Sequence, residues 1–203
     1  MFSTYDIESL KAGDWVEYEE EIMEEKMKTR MACVAIEEDV AWIEYTDRNI
    51  LFFWNDTVLL FAVGRKDRLI SKALWGSTGQ VGREIRVTPR EKDSSTPAVA
   101  LTGTAVASED TLKVNGKDLK CEKVALDYKS GESAFRNRVW ASPEVPFRYS
   151  PPTARLEDLK WEGKATWPGG MVKREVENPS NGKVVEMILC GWGHDAAQTL
   201  KLK

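Results

Sequence analysis

The chain reads as a mainly β protein, a curved antiparallel sheet or open half-barrel with few short helices, and three observations lead there. Two Asn-Gly pairs, Asn115-Gly116 and Asn181-Gly182, stand between alternating apolar and polar runs, which is the strongest short-range signal for a hairpin. Val16, Tyr18 and Ile22 fall on one face of an extended segment and Glu17, Glu19 and Glu21 on the other, the period-two pattern of a strand with one wet side. Compact apolar runs bounded by Asp, Asn and Gly recur through the first half, and these suit buried strands better than helices.

In chain order, residues 1–13 form a short helix or an irregular lead-in around Asp6-Ile7-Glu8-Ser9-Leu10, ended by Gly13. The first strand begins at Trp15. Met23, Met27 and Met31 recur at helical spacing among good helix formers, yet Val34 and Ile36 extend the run, so a strand over Lys26–Ile36 is expected. Strands follow at Val40–Tyr45, Asn49–Trp54 and Thr57–Val63; Arg65–Trp75 fits either a helix or a strand. Gly76, Gly79 and Gly82 impose a loop before Glu84–Val87. Residues 88–98, polar and bounded by Pro89 and Pro97, are a long loop within one domain over 1–203, since either half alone would leave an open sheet edge. Later strands are expected at Leu112–Val114, Leu119–Tyr128, Phe135–Ala141, Met171–Val176 and Val184–Leu189, with a further turn at Ser130-Gly131. Between them lies a loop from Pro143 to Gly170 with a helical turn at Leu156-Glu157-Asp158-Leu159. Loops of that length in compact domains are functional or disordered, and the large aromatics Phe147, Trp161 and Trp167 argue against disorder.

Composition bounds the function classes. The chain of 203 residues is 42% hydrophobic and 31% charged, suited to a folded domain with its own core. No apolar run is long enough for a transmembrane segment, and a net charge of −4 without a basic aromatic stripe gives nucleic-acid binding no support. No secretory signal is visible at the N-terminus, so the expected location is cytoplasmic if Met1 is the natural start, and periplasm or cell envelope if a leader was removed. Residues 1–47 hold 14 acids against 4 bases and the rest 19 against 25, an asymmetry that either marks an acidic interaction face or, the favoured reading, is cancelled by pairing of the two segments across strands. Cys33, Cys121 and Cys190 lack any CxxC spacing and read as three buried free thiols inside strands, the alternative being one disulfide plus one free thiol in an oxidising compartment.

Four phrases occur in a fixed order: Gly13-Asp14-Trp15-Val16-Glu17-Tyr18; Val114-Asn115-Gly116-Lys117 through Cys121; the strand carrying Trp140, followed by Val145-Pro146; and Gly169-Gly170-Met171-Val172-Lys173. In that order they resemble a group of bacterial β-rich proteins related in architecture to the LolA/LppX-type lipoprotein carriers. In the group the Val-Pro and Gly-Gly pairs are almost adjacent, whereas residues 147–168 separate them here. The resemblance implies a strongly curved antiparallel sheet whose concave face holds an apolar ligand or is plugged by helices. It implies no enzymatic activity and supplies no functional residues.

Site chemistry is sparse. His194 is the single histidine, and with Cys190 and Asp195 it forms a nominal nucleophilic set that lacks a nucleophile elbow or oxyanion turn, so an enzyme is the weakest of three readings. Glu19-Glu20 and Glu24-Glu25 read as a solvated face, no metal site is expected, and the glycines at 76, 79 and 82 lack the Lys-Ser/Thr ending of a phosphate loop. No cofactor is implied. Eight tryptophans are more suggestive, because large aromatics on a long loop cap a cavity or make a partner surface. The candidate ligand-binding residues are therefore Trp140, Phe147, Trp161 and Trp167. The expected partner is an apolar ligand or a protein segment, a second copy of the chain included. The alternative is a structural or protein–protein interaction module without a cavity.

Overall fold

The computed structural model describes residues 2–22, 25–47, 57–88, 101–130, 132–151, 153–177, 182 and 184–201. Twelve strands follow in chain order: β1 Trp15–Ile22, β2 Glu25–Glu37, β3 Val40–Asp47, β4 Thr57–Gly64, β5 Ile70–Ser77, β6 Arg83–Ile85, β7 Leu101–Val114, β8 Lys117–Ser130, β9 Ser133–Ser142, β10 Lys160–Glu162, β11 Gly170–Glu177 and β12 Val184–Gly193. They make one open sheet in the order β10-β7-β8-β9-β11-β12-β1-β2-β3-β4-β5-β6. Neighbours are antiparallel except β10, which lies parallel to Thr104–Val106 of β7 and makes the sheet mixed. Helical structure among the described residues is limited to 3₁₀ turns at Phe2–Thr4 and Thr153–Asp158, and no helix is long and apolar enough to cross a membrane.

Two meanders, β1 to β6 and β7-β8-β9-β11-β12, join where β12 pairs with β1 from Trp15↔Gly193 to Glu20↔Met187, with β10 outside them on the edge of β7. The acids of β1 are balanced inside the first meander itself: Glu17, Glu19 and Glu21 sit opposite Arg30, Lys28 and Lys26 of β2. Three of the four bases of residues 1–47 are thus placed opposite acids of the same segment, and where β1 meets β12 the acids Glu17, Glu19 and Glu20 face Gly191, Ile188 and Met187, so this junction does not supply the cancellation expected between the two segments. The Asn115-Gly116 turn closes β7 onto β8 with both residues at positive φ, 50° and 80°. The strand expected at Asn49–Trp54, the loop at 88–98 beyond Thr88, and residues Gly131 and Asn181 of two turns lie outside the described residues.

Curvature follows from the main core. One cluster gathers Leu119 and Cys121 of β8, Val139 of β9, Met171 and Val172 of β11, Leu189 of β12, Val16 and Tyr18 of β1, Met31 and Cys33 of β2, Ile43 of β3 and Val63 of β4. Strands so far apart in the order share a cluster only if the sheet bends around common partners. Those partners are the chain's own irregular segments. Phe2 meets Phe61 of β4 edge to face, Tyr5 meets Phe147, and Tyr5 bridges to Tyr149 while Ser150 N–H donates to the Thr4 carbonyl. Ile7 and Leu10 are sealed beneath. The concave face between β4 and β8 is thus filled by residues 2–10 and 145–149, in which the helical part is the single 3₁₀ turn Phe2–Thr4.

On the opposite face of β3–β5 a second cluster, Trp42, Val58, Leu60, Ala62 and Leu74, is closed by Leu200 from the C-terminal tail. Here two of the three glycines expected to impose a loop find their use, Gly82 and Gly76, the latter inside β5 and not in a loop. A Cβ on Gly82 would stand 2.9 Å from Leu200 and 3.0 Å from Leu74, and one on Gly76 2.8 Å from Leu200, so the missing side chains make the slot for the tail. A third cluster, Leu101, Ala105, Val124, Leu126 and Leu159, lies under residues 156–167.

Candidate functional site

The Pro143–Gly170 loop is an excursion with a tight base. Gly170 N–H donates to the Val145 carbonyl at 2.7 Å, so the Val-Pro and Gly-Gly pairs separated in sequence are adjacent in space. Only glycines fit there, since a Cβ on Gly169 would fall 1.9 Å from the Ser142 carbonyl oxygen and one on Gly170 2.0 Å from that of Pro146. The chain leaves at Phe147 and returns at Trp167, and both hold positive φ, 59° and 48°, a conformation that is strained for an aromatic residue. Between them it forms the 3₁₀ turn, adds β10 to the edge of β7, turns at Gly163, and runs back as a strap over β7 and β8.

The strap is clamped on both sides of its backbone. Glu122 of β8 accepts from the Thr166 N–H, the Thr166 hydroxyl and the Trp167 N–H at 2.8–3.1 Å. Arg148 donates to the carbonyls of Thr166 and Trp167 at 3.1 and 2.8 Å. Charged partners make such bonds stronger than neutral ones. The β7 residues beneath are small, Ala105 and Ala107, and that leaves room for the strap to approach.

The four sequence-derived site residues separate into two pairs. Trp161 and Trp167 remain half-buried and line a cleft of about 330 Å³ with Leu156, Gly163, Lys164 and Ala165; the Trp161 indole N–H donates to the Leu156 carbonyl at 2.9 Å. Trp167 also packs edge to face on Tyr149, which ties the cleft to the main core. Phe147 is 1% exposed and belongs to that core. Trp140 is buried too, with its indole N–H on Asp110 at 2.8 Å and the ammonium groups of Lys123 and Lys173 about its ring at 5.0 and 5.4 Å. Those bonds from Trp140 and from the Thr111 N–H hold the Asp110 carboxyl below the usual range. Alternation explains the division: Trp140 occupies the face of Arg138 and Arg136, opposite to Val139.

A larger cleft of about 960 Å³ adjoins on the other side of Lys164, lined by Ala107 to Thr111 of β7, Lys120 to Glu122 of β8, Pro143, Thr166 and Pro168. Its walls carry acids and bases in mixture, and among the described residues no group of His, Cys, Asp and Glu is arranged to hold a metal ion.

Cys190 and His194 turn to different partners. The Cys190 thiol donates to the Glu17 carbonyl and carboxylate at 3.4 and 3.3 Å, and burial followed by that bond pushes it up to about 11. The His194 ring pairs with Asp14 at 2.6 Å, where it helps hold the end of β12 to the start of β1 beside the Trp15–Asp195 hydrogen bond. A protonated thiol bonded to Glu17 is a poor nucleophile. No protein-family model, curated protein or solved structure matches this chain.

Proposed function

We propose that the protein is a non-enzymatic binding module that takes a small, lipid-like apolar group between Leu156, Trp161 and Trp167. One observation carries this reading: beside a concave face filled by buried side chains, the two half-buried indoles of Trp161 and Trp167 stand around an open cleft. The strained backbone at Phe147 and Trp167 supports it, because such conformations concentrate where a binding element must be held in place. The cleft, about 330 Å³, is at the small end of ligand sites and suits the end of a chain or one ring, not a whole lipid. The likeness to lipoprotein carriers agrees with the ligand class, and the open curved sheet agrees with its architecture. A filled concave face favours the second reading, an interaction module without a cavity.

Native mass spectrometry of the freshly purified protein, before and after denaturation, tests this together with titration of a hydrophobic fluorescent probe. A bound apolar molecule that is lost on denaturation is expected. Trp161→Ala is expected to weaken probe binding about tenfold by removing one wall, with the melting temperature nearly unchanged. A bare protein that takes up no probe would leave the interaction module.

A further inference from the structure

The edge of β7 is half used. β7 pairs with β8 along its whole length, from Leu101↔Ser130 to Val114↔Lys117. On its other side β10 covers only Thr104–Val106, so over Ala107–Val114 that edge carries no strand among the described residues. The large cleft runs beside this stretch. Ala107 to Thr111 of β7 line it together with Lys120 to Glu122 of β8 and Pro143, and the outer side of β7 beyond Val106 is the part without a paired strand among the described residues. Ser108, Glu109, Thr111 and Lys113 are exposed, and neither Glu109 nor Lys113 has an ion-pair partner among the described residues.

We propose that this edge pairs with the same edge of a second copy of the chain, antiparallel and centred on Thr111. The sequence from Ser108 to Val114 selects both occupant and register. Centring on Thr111 places Glu109 opposite Lys113 of the partner subunit, and by symmetry repeats the pair; Asp110 falls opposite Leu112 of the partner subunit and Ser108 opposite Val114 of the partner subunit. No like charges meet. Charges on an exposed edge ordinarily deter pairing, and here they deter every partner whose signs do not match. The two-fold arrangement uses one patch on both subunits, as closed dimers do. The Thr111 N–H, now bonded to the Asp110 carboxylate at 2.8 Å, exchanges that bond for the partner's strand, while Asp110 keeps the Trp140 indole. Seven paired residues bury little area, so the dimer is weak and concentration-dependent.

Sedimentation equilibrium over a wide concentration range tests the proposal, with hydrogen exchange of residues 107–114 followed in parallel. The wild-type chain is expected to dimerise and to gain protection at 107–114 as concentration rises. Glu109→Lys, which sets like charges opposite each other twice, is expected to weaken the dimer about tenfold or more. Combining it with Lys113→Glu is expected to restore association to within about threefold of the wild type, since the swap rebuilds both pairs reversed. Both positions are exposed, so the variants are expected to melt with the wild type. A chain that stays monomeric throughout, a dimer indifferent to Glu109→Lys, or a double variant that is not rescued would overturn it.

Discussion

Two irregular segments are fastened to this sheet by the same device and end in different states. The C-terminal tail is held by Glu44 of β3, which accepts from the Thr199 N–H, the Thr199 hydroxyl and the Leu200 N–H at 2.7–3.0 Å. The strap is held by Glu122 of β8 through the same three groups of Thr166-Trp167. In each case a strand carboxylate grips a threonine and the apolar residue after it. Their surroundings differ: Glu44 is 2% exposed and Leu200 fully enclosed, whereas Thr166 faces solvent and Trp167 stays half-buried beside a cleft. The tail completes a core. The strap leaves an opening, and a similar latch therefore closes a core in one place and borders an open cleft in the other.

The largest effect should come from the closed latch. Glu44→Ala leaves the Thr199 and Leu200 N–H groups without acceptors in a buried site, at a cost of about 3 kcal/mol. For a chain of this size that lowers the melting temperature by roughly 6–12 °C, measurable by scanning calorimetry. The open latch should matter less. Glu122→Ala exposes its donors to water and is expected to cost about 1 kcal/mol, yet amide exchange at Thr166 and Trp167 should accelerate while that at Leu200 does not change. Equal losses in the two variants would remove the distinction between a sealed tail and an open strap.

Both latches left a trace in the sequence that strand patterning alone passes over. Glu44 stands in register with Trp42 and opposite Leu60, and Glu122 in register with Val124 and Leu126; each is a carboxylate at a position where alternation calls for an apolar side chain. An acid in an apolar row needs donors, and these come from segments distant in sequence, so their identity is invisible to local reading. Strand pattern did locate β1, β2 and the Asn115-Gly116 turn, where burial and turn chemistry are local. It expected only Leu112–Val114 where β7 runs from Leu101, since the inward residues there are Gly103, Ala105 and Ala107, kept small to seat the strap. The aromatic loop was legible as a long excursion, and of its aromatics Trp161 and Trp167 line a cleft. Phe147 and Trp140 were not separable from them, because which face of the sheet a residue takes beside a long excursion depends on where the chain returns.

The smallest effect sharpens the comparison through thiols. Cys121 and Cys33 both belong to the main core, but Cys121 also borders the large cleft near the open latch; burial pushes their thiols up to about 11 and about 12. At pH 8 only about one Cys121 thiol in a thousand is ionised, so alkylation of the folded protein is slow and rises about tenfold for each pH unit toward 9 as thiolate forms. Glu122→Ala is expected to speed alkylation of Cys121 about threefold by loosening the strap, with Cys33 unchanged, as read by peptide mass mapping. Glu44→Ala should leave Cys121 at its wild-type rate at temperatures where the protein remains folded, because the tail packs against β3–β5 and not over this cleft. Acceleration of both thiols in both variants would mean that the sheet opens as one unit and that the two latches are not independent.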